Sequence, residues 1–170
     1  LITGGPPGWR DRYGTADEVK AAAELYCQAA ENAAAHGLQI GYHNHDWDLA
    51  EMDGVPAYQI FLSHTPESVL WEADLFWVAR AGLDPAGFLT EIGPRGKALH
   101  FKDGDLGPNA AEPPFLPAGE GDVDLLATAA AARSAEFIAV ELDAYTGDML
   151  EAVRRSYRYL TEKGVAIGKR

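Results

Sequence analysis

The sequence predicts an α/β protein built around a parallel sheet. Apolar runs of strand length recur along the chain, and helical segments separate them. This alternation is typical of parallel strands joined by right-handed crossovers. The chain has 170 residues, of which 47% are hydrophobic, as in globular proteins. Residues 1–170 therefore fit one domain, but this length is short for a complete α/β barrel.

The first half of the chain contains three strand candidates. The opening residues resemble the tail of a strand. Thr15 and Glu18 form a capping box that begins the first helix, and Gly37 ends it. The predicted order is strand 1–5, helix 16–36, strand 38–42, helix 57–62 and strand 69–74.

The second half repeats the pattern around one long loop. Pro85 suits the first position of a helix, and Gly164 ends the last one. Residues 104–121 are rich in Gly and Pro, which predicts a functional or disordered loop. The predicted order is helix 84–92, strand 98–103, loop 104–121, helix 123–133, strand 137–143 and helix 148–163.

Metal-binding residue types stand at the ends of four successive strands: His43, Asp74, His100 and Glu141. Each one alone has a plain structural explanation, such as a helix cap for Asp74 or a core histidine for His100. However, the carboxyl ends of parallel barrel strands open on one face, so residues far apart in sequence meet there. Two imidazoles and two carboxylates suit Mn²⁺, Co²⁺, Zn²⁺ or Fe²⁺ better than Ca²⁺. The four positions together predict a divalent-metal site.

The charge of the chain excludes several classes of partner. Lys and Arg number 14 against 26 Asp and Glu, which gives a net charge of −12. Such a surface repels nucleic acids and anionic membranes, so we expect a small neutral ligand. No apolar run approaches membrane-spanning length and no signal-peptide pattern is present, which predicts a cytoplasmic protein.

Four short segments carry a family resemblance: His43-Asn44-His45-Asp46, the segment around Asp74, His100-Phe101-Lys102-Asp103 and Val140-Glu141-Leu142-Asp143. Together they resemble the sugar phosphate isomerase/epimerase family, which has the xylose-isomerase-like TIM barrel. The Gly119–Asp124 turn fits the same pattern. The resemblance implies a (β/α)₈ barrel of which this chain covers about the C-terminal half, strands 4 to 8. It also implies one divalent metal (Mn²⁺, Co²⁺, Zn²⁺, Fe²⁺ or Mg²⁺) held by His43, Asp74, His100 and Glu141.

Two departures from the family pattern narrow the expected reaction. The family has Glu where this chain has His43, and its ketose epimerases use two glutamates on opposite faces of the substrate. Those epimerases also have a histidine three residues after the metal Asp, where this chain has Trp77. The resemblance therefore implies an isomerase, epimerase or related lyase acting on a sugar or cyclitol. Because no Gly-rich phosphate-binding loop follows a strand, we expect an unphosphorylated substrate. The reaction would pass through a metal-stabilised enediolate, with Glu141 as the general base.

Further residues near the strand ends are predicted to serve the substrate. His45 and Lys102 are expected to hold substrate hydroxyls or to donate a proton, and Trp77 to give a sugar ring an apolar wall. Glu120, in the Gly-rich turn, is expected to close over the substrate. We expect hydrogen bonds with Asn44, Asp46 and Asp143 to orient the imidazoles.

Two other functions and an assembly question stay open. The chain fits, as an alternative, a non-catalytic sugar-binding or subunit barrel. An endonuclease IV-like phosphodiesterase is a weaker alternative, because it needs several metals and a basic face. Half a barrel would expose its core and two sheet edges. We therefore expect an N-terminally incomplete domain, completed by the missing half or by a homo-oligomer.

Overall fold

The computed structural model describes residues 1–5 and 13–168. Strands and helices alternate through most of this range. In chain order the elements are β1 (Ile2–Thr3), α1 (Ala16–Ala34), β2 (Gly41–His43), β3 (Glu51–Met52), β4 (Val55–Pro56), α2 (Ala57–His64), β5 (Leu70–Asp74), α3 (Leu75–Arg80), α4 (Pro85–Ile92), β6 (Gly96–Phe101), β7 (Asp103–Gly104), β8 (Phe115–Leu116), α5 (Leu125–Ala131), β9 (Phe137–Val140) and α6 (Met149–Glu162).

The central sheet has five strands in the order β1-β2-β5-β6-β9, and every neighbouring pair is parallel. The strands follow one another in space as they do in sequence, with helices in the connections, which is the arrangement of a barrel wall. Two small antiparallel pairs, β3 with β4 and β7 with β8, lie outside the central sheet. The predicted α/β class with a parallel sheet is confirmed.

Local sequence signals explain where most elements begin. The Thr15 side chain accepts a hydrogen bond from Glu18 N, and the Glu18 carboxylate accepts one from Gly14 N, so the predicted capping box starts α1. Helix α4 occupies Pro85–Ile92 as predicted, with Asp84 as its N-cap. Helix α3 was not predicted, because its sequence Leu-Phe-Trp-Val prolongs the apolar run of β5. The predicted loop 104–121 contains β8, which pairs with β7.

The main core lies between the sheet and its helices. Tyr42 of β2 and Trp71 of β5 pack with ring centroids 5.0 Å apart. Phe61 of α2 and Phe88 of α4 lie 5.8 and 5.9 Å from Trp71. Successive side chains of a strand point to opposite faces of the sheet. Because Trp71 faces the helices, the residues before and after it point away from them.

The opposite face and the two edges of the sheet are less covered. Within residues 1–5 and 13–168, strands β1 and β9 each pair on one side only. Ile2 on β1 is 41% exposed and Phe137 on β9 is 70% exposed. Among the residues that the structure describes, no helix combines the length and apolar character needed to cross a membrane.

Candidate metal centre

The carboxyl ends of β2, β5, β6 and β9 carry the four predicted ligands. His43, Asp74 and His100 lie on their strands, and Glu141 follows β9 directly. Asp74 and His100 are register partners in adjacent strands. Buried Asn44 fixes this end of the sheet: its Nδ2 donates to Asp74 O, while its Oδ1 accepts from Asp74 N and from Trp71 Nε1.

Three of the four predicted ligands converge. His100 Nδ1 lies 3.7 Å from Asp74 Oδ2 and 3.7 Å from Glu141 Oε2. The donor atoms of these three residues all lie within 4.8 Å of one another. Asp74 serves two purposes, because its Oδ1 caps α3 by accepting from Trp77 N at 3.2 Å while Oδ2 faces the cluster. The three converging atoms are buried without a hydrogen bond, although a lysine ammonium forms ion pairs with Asp74 Oδ2 and Glu141 Oε2.

His43 stands slightly apart from this group. Its Nε2 lies 4.0 Å from Asp74 Oδ2, and its ring centroid lies 4.5 Å from that of His100. It belongs to a second group of potential ligands, with Glu72 and His100, whose donor atoms also lie within 4.8 Å of one another. The structure thus places all four predicted residues in one cluster, with His43 at its inner side.

Glu72 is the acidic residue that sequence reasoning missed. Its Oε2 lies 3.2 Å from His43 Nδ1 and 3.2 Å from His100 Nε2. Hydrogen bonding to His100 and His43 outweighs burial and lowers the pKa of Glu72 to about 2. The strand alternation was a usable signal, since Glu72 stands two residues before Asp74 and so shares its face.

His100 lies between carboxylates on both sides of its ring. Burial lowers the pKa of His100, but hydrogen bonding and attraction to Asp74 and Glu72 raise it more, to about 9 overall. In the metal-free protein the His100 ring is therefore protonated on both nitrogens and positively charged at neutral pH. A divalent cation would have to displace one of these protons to bind.

Lys102 is a buried cation in the same cluster. Its side chain is 1% exposed, and its Nζ lies 3.0 Å from Asp74 Oδ2, 2.5 Å from Glu141 Oε2 and 2.7 Å from Asp143 Oδ2. Burial lowers its pKa, but these carboxylates, Asp74 first, raise it more, to about 12. Each of the three ammonium hydrogens therefore has a carboxylate nearby, and this geometry favours a structural charge over a proton donor.

Aromatic rings border the cluster. The His45 ring stacks on Trp47, with centroids 4.3 Å apart and planes at 11°. Trp77 lies 6.3 Å from His45 and holds its ring 5.2 Å from Lys102 Nζ. Trp47 extends the aromatic wall that was predicted from Trp77. Trp71, by contrast, is 1% exposed and belongs to the core.

Glu120, predicted to close over the substrate, is a partly exposed residue beside α6. It forms an ion pair with Arg155 of α6, and both side chains are more than a third exposed. The loop around it is held by Asp103, a buried carboxylate next to Lys102. The two Asp103 oxygens accept hydrogen bonds from the backbone N–H groups of Gly104, Gly119, Gly121 and Val123.

Comparison with known proteins gives matches in structure only. No family model and no curated protein matches the sequence. The fold is similar to a sugar phosphate isomerase/epimerase from Parabacteroides distasonis, with a TM-score of 0.74 and 22% identity over 90% of this chain and 55% of that one. It is also similar to the IolI protein with a bound zinc atom, with a TM-score of 0.66 and 19% identity over 87% and 57% of the chains. A third match is the probable 3-DHS dehydratase AsbF from Bacillus anthracis, with a TM-score of 0.66 and 14% identity over 86% and 57%.

These matches establish the fold. Other structural neighbours include a xylose isomerase-like TIM barrel and a xylose isomerase domain protein. They belong to the group of proteins that the sequence motifs resemble. The five-stranded parallel sheet is part of a TIM-barrel wall. The chain spans 55–57% of the length of the three matched proteins described above.

Proposed function

We propose that this chain contributes the metal centre of a divalent-metal-dependent isomerase, epimerase or related lyase that acts on a small sugar or cyclitol. The observation that carries the proposal is the convergence of Asp74 Oδ2, His100 Nδ1 and Glu141 Oε2 from three neighbouring strands. The zinc atom bound by the IolI protein and the isomerase/epimerase named among the neighbours support the same chemistry.

The donor set fits a divalent ion. Buried carboxylate and imidazole atoms without hydrogen bonds are costly unless a cation or a proton satisfies them. Three carboxylates, those of Asp74, Glu141 and Asp143, surround the buried ammonium of Lys102, and a fourth, that of Glu72, lies beside the two imidazoles, so the cluster favours further positive charge. Two imidazoles with two carboxylates suit Zn²⁺, Co²⁺, Mn²⁺ or Fe²⁺, and Mg²⁺ less well. We assign one such ion to Asp74, His100 and Glu141, with His43 as the fourth ligand.

The proposed reaction is proton transfer at a carbon next to a carbonyl group. A bound divalent ion supplies Lewis-acid stabilisation of the negative charge that an enediolate carries. Glu141 is the proposed general base, because its side chain is 30% exposed at the mouth of the cluster. Lys102 holds Glu141 and Asp74 in place through its ion pairs.

The aromatic rim is the proposed substrate-binding surface. His45 and Trp77 border the cluster and offer an apolar wall with a polar edge, which suits a sugar ring. Because His43 replaces a glutamate of the family pattern, Glu141 remains as the principal base. One base is sufficient for isomerisation or for elimination, and the dehydratase among the neighbours makes the lyase variant relevant.

Proton exchange with solvent tests this proposal directly. We expect the chain loaded with Co²⁺ or Mn²⁺ to catalyse exchange of a C–H next to the carbonyl in D₂O for at least one member of a panel of unphosphorylated ketopentoses, ketohexoses and inososes, followed by ¹H NMR. Glu141→Gln should lower the exchange rate by about 100-fold or more, because the base is lost. His100→Ala should lose both the exchange and the bound metal.

An exposed carboxylate on α6 provides the control. Glu162→Gln should exchange at the wild-type rate with full metal content, because Glu162 lies far along the chain from every proposed ligand and is exposed. Equal metal content in His100→Ala and the wild type would overturn the site. Metal binding without exchange of any panel member would instead favour the non-catalytic sugar-binding alternative.

A further inference from the structure

Two imidazoles of the cluster lie between two carboxylates. Towards the strand ends, His43 Nε2 and His100 Nδ1 face Asp74 Oδ2 at 4.0 and 3.7 Å. On the other side, His43 Nδ1 and His100 Nε2 both lie 3.2 Å from Glu72 Oε2. Each ring thus turns one nitrogen towards the proposed metal site and the other towards Glu72.

We propose that Glu72 is a positioning residue that fixes the tautomer and the direction of both histidine ligands. A neutral imidazole carries one proton, and the nitrogen that faces a carboxylate keeps it. Glu72 therefore leaves the lone pairs of His43 Nε2 and His100 Nδ1 pointing at the cation. This inference rests on the metal site of the proposed function.

Glu72 faces one nitrogen of each ring at ion-pair distance, and His43 Nδ1, 3.2 Å away, makes no hydrogen bond in this structure. The Glu72 side chain is 16% exposed, and within residues 1–5 and 13–168 its ion-pair contacts are to these two histidines alone. Glu72 is the register partner of His43 in the adjacent strand, which places it directly beside that ring.

Glu72 also compensates for a negative charge that is missing at one ligand position. Where the family pattern has an anionic glutamate, this chain has the neutral imidazole of His43. Glu72 supplies a negative charge directly beside His43, as its register partner in the adjacent strand. An imidazole whose second nitrogen donates to a carboxylate is a more basic metal ligand than a free imidazole.

A different arrangement of the same atoms makes the opposite prediction. Glu72, His43 and His100 lie close enough to bind an ion of their own. His100 would then be shared between two ions, and Glu72 would be a ligand. The number of ions bound per chain separates this arrangement from the positioning role.

Cobalt titration of the metal-stripped protein is the first measurement. We expect one Co²⁺ per wild-type chain, read from calorimetry and from the visible spectrum. Glu72→Gln should weaken Co²⁺ binding by about 10-fold, because the amide oxygen still accepts from one ring, and Glu72→Ala by about 100-fold. Glu136→Gln is the matched control, since Glu136 pairs with Lys97 at 2.9 Å and should leave the affinity unchanged.

Histidine tautomers give a readout that general destabilisation does not reproduce. In the zinc-loaded wild type, long-range ¹H–¹⁵N NMR should show the His43 proton on Nδ1 and the His100 proton on Nε2. In Glu72→Ala these two protons should exchange rapidly with solvent or move to the other nitrogen. Circular dichroism of each variant verifies that the fold is retained.

Three results would overturn the inference. Unchanged affinity and tautomers in both Glu72 variants would show that Glu72 does not position the rings. Two Co²⁺ per wild-type chain and one per Glu72→Ala chain would make Glu72 a ligand. Failure of the wild type to bind Co²⁺ would remove the metal site of the proposed function as well, whereas the first two results would leave that function in place.

Discussion

His100 links the protonation of the cluster to the stability of the fold. Its pKa is about 9 in the folded chain against an ordinary 6.5, so the folded state holds the proton more tightly than the unfolded state. The resulting stabilisation is complete below pH 6.5 and is lost as the pH rises through 9. From the size of the shift it is at most about 3 kcal/mol.

We predict that the metal-free protein melts at a lower temperature as the pH rises from 6.5 to 9. The expected decrease is about 5–10 °C, measured by circular dichroism after EDTA treatment. Zinc should reverse the trend, because metal binding requires the neutral imidazole and strengthens across the same interval. His100→Gln should abolish the metal-free slope, while His36→Gln, at an exposed position, should retain it. A slope that persists in His100→Gln would assign the effect to other groups.

At the scale of residues, the sequence predicted the four residues of the cluster but not Glu72, which lies beside two of them. Asp74, His100 and Glu141 were predictable because each ends an apolar strand, where an acid or an imidazole needs a partner. Glu72 was missed because Trp71 and Ala73, its neighbours, make the segment look like ordinary core. The pairing of Lys102 with Asp143 depends on the spacing of β6 and the segment after β9, which no local pattern reveals.

At the scale of elements, Asp103 organises the long loop that follows β6. Its Oδ1 accepts from Gly104 N at 2.9 Å and from Val123 N at 3.1 Å. Its Oδ2 accepts from Gly119 N and Gly121 N at 2.9 and 3.0 Å. Gly121 has no room for a side chain, because a Cβ there would lie 2.3 Å from Asp103 Oδ1. One buried carboxylate thus holds the loop in a defined conformation through four hydrogen bonds.

We predict that Asp103→Asn destabilises the protein by about 3 kcal/mol. The amide NH₂ group meets two N–H donors that formerly had an acceptor, so two buried hydrogen bonds to a charged group are lost. The expected loss is about 6–12 °C in Tm, with faster hydrogen exchange at Gly119 and Gly121. Asp105→Asn is the control, because in the part of the chain that the structure describes Asp105 accepts from the nearby Gly107 N alone. Equal Tm values for the two variants would contradict the proposed role of Asp103.

Element boundaries were predictable where capping chemistry was explicit. Asp84 and Asp148 cap α4 and α6 through hydrogen bonds to backbone N–H groups, and both helices begin where the sequence indicates. Helix α3 was missed because its apolar Leu-Phe-Trp-Val sequence continues the run of β5, although a helix cap was recognised as one explanation of Asp74. The β7/β8 pair within the loop depends on Asp103 and on contacts that are distant in sequence, so no local signal predicts it.

At the scale of the whole molecule, the order of the strands was predictable from the sequence. Whether the sheet closes into a barrel was not. Alternating elements determine a parallel sheet in which strand ends converge, and this is why four residues spread over most of the chain could be grouped in advance. Whether the sheet closes depends on what covers β1 and β9. Leu70 and Phe137 line an open hollow on the face away from the helices, beside Glu72.

The uncovered sheet leads to a prediction about assembly. We expect the 170-residue chain on its own to form a dimer or a larger oligomer, because Phe137 is 70% exposed on an edge strand with unpaired backbone groups. Burying this ring contributes about 2 kcal/mol per subunit, so Phe137→Glu should shift the population to monomers in size-exclusion chromatography with light scattering. Leu150→Glu is the control, since Leu150 is 67% exposed on α6 and should leave assembly unchanged. A stable wild-type monomer with a concentration-independent Tm would show that the open sheet is tolerated without a partner.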